Sequence, residues 1–353
     1  MKRSIQLLVI VIVLLTTSAC SFLKPKPVTN LTIPPETEYL VLGVEFVGAK
    51  TEDSNPTVFK YKEIRTNVYY YADNGQFLGK ELIQYNASNL NAYYYKDFAY
   101  IFFEDNNIHE INLTTGQIRK LDLLNNKNSY ANSVNRSGNV LLVHYKDNKK
   151  SSEVINDEIC TFSVEDIKKE KCVSLEEGEY EVFEANDFFY VWNKKTGILV
   201  QHDINLNEVK STDFGEFCFL EHDQGNIYIM YRDGIYDLQN EMKYDLNLVV
   251  GFYDYYIFDG ELFLEDGQTV TGFDIKSGDK LSENMIENKG EFGNIFDEQK
   301  GLKHISVFER TQEVLVPLDM KTLKLSELRF VIEFDEKDTF FFVYGLHTYP
   351  IGN

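Results

Sequence analysis

A short phrase that recurs along the chain constrains its fold more than any other feature. An apolar run ends in Asp or Asn, and a polar turn that often contains Gly follows. The clearest copies are Asn112-Leu113-Thr114-Thr115-Gly116, Asp203-Ile204-Asn205-Leu206-Asn207, Asp237-Leu238-Gln239-Asn240, Asp274-Ile275-Lys276-Ser277-Gly278 and Asp319-Met320-Lys321-Thr322-Leu323. Weaker copies begin at Asp73 and Ser163. The copies start at 73, 112, 163, 203, 237, 274 and 319, in steps of 39, 51, 40, 34, 37 and 45. The mean, 41, is the length of one four-stranded propeller blade.

The segments between the turns fit that reading. Short runs rich in Tyr, Phe, Val and Ile recur, such as NVYYYADNG, NVLLVHYKDN, FFYVWNKKTG and NIYIMYRDG. They read as strands ending in tight turns, and apolar spacing of 3.6 residues is absent. Within one unit the expected order is YEVFEAND, FFYVWNKKTG, ILVQHDINLN and EVKSTDF, from inner to outer strand. The fold expected is all-β, a propeller of four-stranded antiparallel blades; the competing architecture is a β-sandwich pair. Dividing the exported body by 41 favours eight blades, with seven the second choice. The last unit, VIEFDEKD–TFFFVYG–LHTYPIG, lacks an outer strand, which EYLVLGVEF at 38–46 is expected to supply, closing the ring.

The N-terminus points to export. Lys2 and Arg3 precede an apolar stretch from Ile5 to Leu15 that is too short for a good membrane span, followed by Thr17-Ser18-Ala19-Cys20. This layout resembles the lipobox of bacterial lipoproteins, with Thr17 where Leu or Val is usual. The resemblance implies a signal peptide over 1–19 and a lipidated Cys20, palmitate included. It implies a membrane partner held through acyl chains, of which two or more anchor stably. Ser21 in place of Asp favours the outer membrane where the organism has one; otherwise the outer face of the cytoplasmic membrane is expected. Residues 20–37, with Pro25, Pro27, Pro34 and Pro35, read as a tether, and 38–353 as the propeller domain.

After cleavage, the 35 basic residues lose Lys2 and Arg3, leaving 33 against 56 acidic ones, a net charge of −23. Such a surface repels nucleic acid and anionic headgroups. Cys160 and Cys172 lie in EICTFSVEDIKKEKCVSL. In a hairpin centred on Asp166, positions summing to 332 face each other, and these two do. An oxidising compartment then favours a disulfide between them. Cys218, among aromatic residues and flanked by Glu216 and Glu221, reads as a buried apolar residue rather than a nucleophile.

The phrases FDIKSGDKL and INLTTGQIRKL resemble the D-x-x-T/S-G-x-x hairpins of PQQ-like and YVTN-type bacterial propellers. A Trp usually follows the Gly in those repeats. This chain's one Trp, Trp192, lies on a different strand, and no cofactor site carries over. A propeller on a lipid anchor is also similar in plan to the propeller lipoprotein of the outer-membrane β-barrel assembly machine.

Candidates for chemistry are sparse. His109, His144, His202, His222, His304 and His347 fall in different units without metal-ligand spacing, so no metal is expected. Neither a G-x-S-x-G elbow nor a phosphate-binding glycine loop occurs. The acidic loops FDEKDTF and FEDNNIHE lack calcium-loop spacing. The tyrosines at 69–71, 93–95 and 253–256 read first as packing between blades and second as a binding groove. The function expected is a non-catalytic protein-binding or scaffolding module of the cell envelope, with a protein or peptide partner and no cofactor. The alternatives are an envelope glycan hydrolase or lyase acting at the channel mouth, and a surface adhesin.

Overall fold

The protein is described from a computed structural model. It describes residues 26–349 apart from 49, 53–54, 86–91, 103–106, 124–128, 148–156, 177, 216–218, 224–225, 232–233, 246–253, 266–268, 286–294, 297–303, 310–311, 320–323 and 335–338. The expected signal peptide, Cys20, Cys218 and Tyr253 therefore lie outside the described residues, as do parts of both acidic loops.

Seven antiparallel blades make up the chain, and no helix occurs among the described residues. From the innermost strand outward, blade 1 is Phe340–Thr348, Tyr39–Val47, Glu63–Tyr71 and Phe77–Tyr85. Blade 2 is Ala92–Tyr95, Phe98–Phe102, Asn107–Asn112 and Ile118–Asp122. Blade 3 is Ser129–Ser137, Val140–Asp147, Glu158–Ser163 and Lys169–Ser174. Blade 4 is Tyr180–Ala185, Phe188–Asn193, Ile198–His202 and Glu208–Asp213. Blade 5 is Phe219–Asp223, Asn226–Tyr231, Gly234–Asp237 and Met242–Asp245. Blade 6 is Asp254–Phe258, Glu261–Glu265, Thr269–Asp274 and Lys280–Met285. Blade 7 is Ile295–Phe296, His304–Glu309, Gln312–Asp319 and Phe330–Glu333.

Apolar clusters between neighbouring blades close the ring. Leu42, Tyr70 and Ile101 join blades 1 and 2, and Tyr100, Val143 and Phe162 join blades 2 and 3. Leu142 meets Val182 and Phe189 between blades 3 and 4, and Trp192 meets Ile229 between blades 4 and 5. Met230 with Leu262, then Phe263 with Leu318, carry the pattern to blade 7. Phe330 and Ile332 of blade 7 finally pack on Tyr69 and Tyr71 of blade 1. Two-sided burial of this kind excludes the two-sheet sandwich, in which each strand buries one face.

The count is seven rather than the favoured eight, and the last unit explains the difference. Its segment at 330–333 is the outer strand of blade 7, while 340–348 runs unbroken as the innermost strand of blade 1. The N-terminal strand does pair with it, Tyr39 with Thr348 and Phe46 with Phe340. It sits second from the axis, however, and not at the rim. Burial decides this: Leu40, Val41, Leu42 and Val44 are almost fully enclosed, whereas outer strands such as Glu208–Asp213 are mostly exposed.

The recurring phrase has one physical cause. The leading Asp or Asn accepts backbone N–H groups of the turn that follows. Asn112 Oδ1 accepts from Thr114 and Thr115 at 3.0 and 2.8 Å, Asp237 Oδ1 from Gln239 and Asn240, and Asp274 Oδ1 from Lys276 and Ser277. On the same end of the ring lie two-residue turns with positive φ, Asn186-Asp187 and Asp259-Gly260, between the first and second strands. The opposite end carries an insertion in blade 1, a hairpin of Lys50–Glu52 and Asn55–Lys60.

Candidate functional site

The expected features of blade 3 converge on a cleft between blades 2 and 3. Cys160 and Cys172 are directly paired across the hairpin, with Cα atoms 4.1 Å apart and sulfurs 2.04 Å apart, at bonding distance. The register follows the sum of 332 from Glu158–Ser174 to Thr161–Lys171, and a bulge then shifts Phe162 onto Lys169. Both cysteines belong to the apolar core shared by blades 2 and 3. They brace the hairpin whose tip, Val164 and Glu165, forms one wall of the cleft.

The cleft has a volume of about 260 Å³ and is lined by Phe98, Glu110, Asn112, Gln117, Arg119, Arg136, Val164 and Glu165. Its centre is the buried Glu110 carboxylate. Arg119 donates to Glu110 Oε1 through Nε at 3.0 Å and Nη2 at 2.9 Å, and through Nη1 to the Val164 carbonyl at 2.7 Å. The Tyr100 hydroxyl donates to Glu110 Oε2 at 2.8 Å and accepts from Arg136 Nη1 at 2.9 Å. Arg136 Nε donates to the Gly138 carbonyl, and its guanidinium lies 4.5 Å from the Phe98 ring and 5.5 Å from the Tyr95 ring. Burial, then the Glu110 charge, raise the Tyr100 phenol well above its ordinary value, so it remains a donor. Both Glu110 oxygens accept charge-assisted or phenolic hydrogen bonds, which leaves this carboxylate poorly suited to proton transfer.

The turn 112–117 forms the other wall and carries a second load on its far side. A strap made of residues 28–33 crosses from blade 1 to blade 2. Val28 N–H donates to the Leu82 carbonyl at 2.8 Å, Thr32 N–H to Glu81 Oε2 at 2.7 Å, and Leu31 N–H to the Gly116 carbonyl at 2.7 Å. Asn30 bridges Gln117, and Leu31 is buried in the core between blades 1 and 2 with Val28 and Ile33 packed against it. The Tyr349 hydroxyl reaches the Thr114 carbonyl. The segment drawn as free tether up to residue 37 is thus docked from residue 28 onward.

The other sequence candidates disperse. The six histidines occupy six different blades. His144 is buried and sits 3.2 Å from Asp157, with Asn132 on its other ring nitrogen. Among the described residues, one group has metal-ligand proximity, Glu158 with Cys160 and Cys172, and its sulfurs are bonded to each other. Tyr69, Tyr70 and Tyr71 are buried between blades, which removes them as a groove; Tyr94 is buried as well.

Sequence reasoning missed the basic residues that tie the outer strands of blades 2, 3 and 4 to the next blade. Arg119 reaches Val164, Lys171 reaches the Leu206 carbonyl and Asn207, and Lys210 reaches Glu241. A signal existed for two of them: Arg119 and Lys210 each stand seven positions after the Asn or Asp that opens their turn phrase.

No known protein-family profile matches the chain, and no curated protein matches it in sequence. Solved structures of similar shape include apo AztD from Citrobacter koseri, with 8% identity and a TM-score of 0.45 over 88% of this chain and 98% of that one. A second is KlHsv2 with loop 6CD replaced by a Gly-Ser linker, with 10% identity and a TM-score of 0.46 over 76% and 95%. A third is a chain of the mitotic checkpoint complex, with 12% identity and a TM-score of 0.45 over 71% and 84%. The propeller assignment rests on the strand order itself.

Proposed function

We propose that this chain is an exported, lipid-anchored propeller that acts as a non-catalytic protein-binding or scaffolding module of the bacterial cell envelope. Cys20 carries the lipid in this reading, and Ser21 directs the protein to the outer membrane where there is one. Basic n-region, short apolar stretch and small residues before Cys20 support export and acylation. The accessory propeller lipoprotein of the β-barrel assembly machine is a parallel in plan.

The observation that carries the binding role is the cleft between blades 2 and 3. It is a concave site with fixed polar groups on a rigid ring, which is how propellers present binding surfaces. The commitment of Glu110 to two arginines and a tyrosine favours recognition over acid–base chemistry.

Two measurements test the reading. Full-length protein and the Cys20→Ala variant are compared by membrane fractionation; a variant that stays with the membrane removes the lipid anchor. A photo-crosslinking residue placed at Glu165 is then compared with one at Lys195 on blade 4. A crosslinked envelope protein from position 165 alone is the expected result, and equal yields from both positions would overturn it.

A further inference from the structure

The cleft holds more hydrogen-bond donors than its own contacts use. Arg136 and Arg119 face the single buried carboxylate of Glu110, and Glu165 on the rim brings the lining to a formal charge of zero, so the surplus is one of N–H donors. A guanidinium has five N–H donors. Arg136 places Nε on Gly138 and Nη1 on Tyr100, and no contact of its Nη2 occurs among the described residues. Arg119 makes one contact through each nitrogen, so each of its two terminal nitrogens has an N–H to spare. The Gln117 side chain, also unpaired among the described residues, lines the same space.

Arg136 is held ready for a ligand. Its plane packs near two aromatic rings and its side chain is only 12% exposed, so little rotamer freedom remains to be lost on binding. Planar, fixed guanidinium groups match the two oxygens of a carboxylate. The volume of about 260 Å³ accommodates one residue-sized group rather than a whole small molecule.

We infer that the cleft between blades 2 and 3 binds a carboxylate of a partner peptide, seated on the free N–H groups of Arg136 and Arg119. The source is either the peptide's C-terminus or an acidic side chain. Glu165, exposed on the rim, opposes such a ligand and weakens its binding. The identity of the ligand as a peptide rests on the proposed binding function; the carboxylate preference does not.

The test is calorimetric titration of the full mature protein in detergent micelles. Three probes are used: an N-acetylated alanine tripeptide with a free C-terminus, its C-terminal amide, and an amidated tripeptide with a central Asp. At least one carboxylate-bearing probe is expected to bind at least tenfold more tightly than the uncharged amide. The tighter of the two identifies the source. Arg136→Gln should weaken that probe about tenfold and Glu165→Gln should tighten it two- to threefold. Because Arg136 also joins two blades, the rim variant provides the test that leaves the core intact. Equal binding of all three probes, no saturable binding up to about 10 mM, or a Glu165→Gln variant that fails to bind more tightly overturns the inference. Carboxylate binding that persists while the crosslink at 165 fails would remove the scaffold reading alone.

Discussion

Replacing Gly116 by Ala tests whether the strap is an integral part of the fold. Gly116 has φ +74°, and an added Cβ would stand 2.5 Å from the Leu31 carbonyl oxygen. Holding a non-glycine residue in this left-handed region costs about 1–2 kcal/mol. The clash adds to that by pushing residue 31 away. Losing the Leu31 N–H bond to Gly116 costs about 1 kcal/mol, and returning the Leu31 side chain to water costs about 1.5–3 kcal/mol. The total is about 4 kcal/mol or more. Gly138→Ala supplies the control, because its φ is +54° and nothing lies within 4 Å of the added methyl group. It carries the backbone cost alone. Urea unfolding of both variants at a common slope measures the difference, which should be at least about 2 kcal/mol. Limited proteolysis should also cut within 26–33 in the Gly116 variant at concentrations that spare the control. Equal midpoints, with the strap still protected, would refute the claim that it contributes to stability.

Three further outcomes are expected. The double variant Cys160→Ser/Cys172→Ser should lose about 2–3 kcal/mol, the value for a loop of this length with sequence separation 12; maleimide labelling of the unfolded native protein should show neither thiol free. Glu110→Gln leaves two guanidinium groups facing each other, and its cost should fall between about 1 kcal/mol for a surface pair and the 3–5 kcal/mol of a fully buried one, read from thermal unfolding. Burial, the largest influence, holds the His202 imidazole below its ordinary value, so the unfolded chain takes up its proton first. Its contribution is complete above pH of about 6.5 and falls as pH drops below that toward the depressed folded value. His202→Gln should flatten the decline of stability between neutral pH and pH 5, seen in unfolding midpoints across that range.

Much of the ring was legible because its repeat is local. A side chain that caps its own turn leaves a mark within five residues, so Asn112, Asp203, Asp237 and Asp274 all stand out. The Cys160–Cys172 pairing was equally local, set by hairpin symmetry about Asp166. The blade count leaned to eight, with seven allowed, where locality ends. Blade 1 takes strands from both ends of the chain and contains an inserted hairpin, so dividing length by repeat overestimates the number of units. The seven turn phrases, counted by themselves, match the seven blades. The cleft could not be read in advance, since Glu110, Arg119 and Arg136 come from three strands of two blades. Glu110 and Arg119 do face each other across one hairpin, but the arrival of Arg136 depends on how neighbouring sheets pack, and no spacing in the sequence encodes that. The same limit hid the strap, because Leu31 stands in a proline-rich stretch whose composition resembles a free linker.

The docked strap bears on how far the body can stray from a bilayer. In the proposed form acylated at Cys20, with Val28 fixed to blade 1, eight Cα steps would separate anchor from scaffold. At ~3.3–3.6 Å per residue they span at most about 29 Å, roughly the thickness of the hydrocarbon layer itself. A free linker running to residue 37 would reach about twice as far. In that form the flank of blades 1 and 2 would stay close to the lipid headgroups, and the neighbouring cleft with it. A partner of the cleft would then be a membrane protein or one held at the same surface, with the radius of search set by where the strap first docks, at Val28.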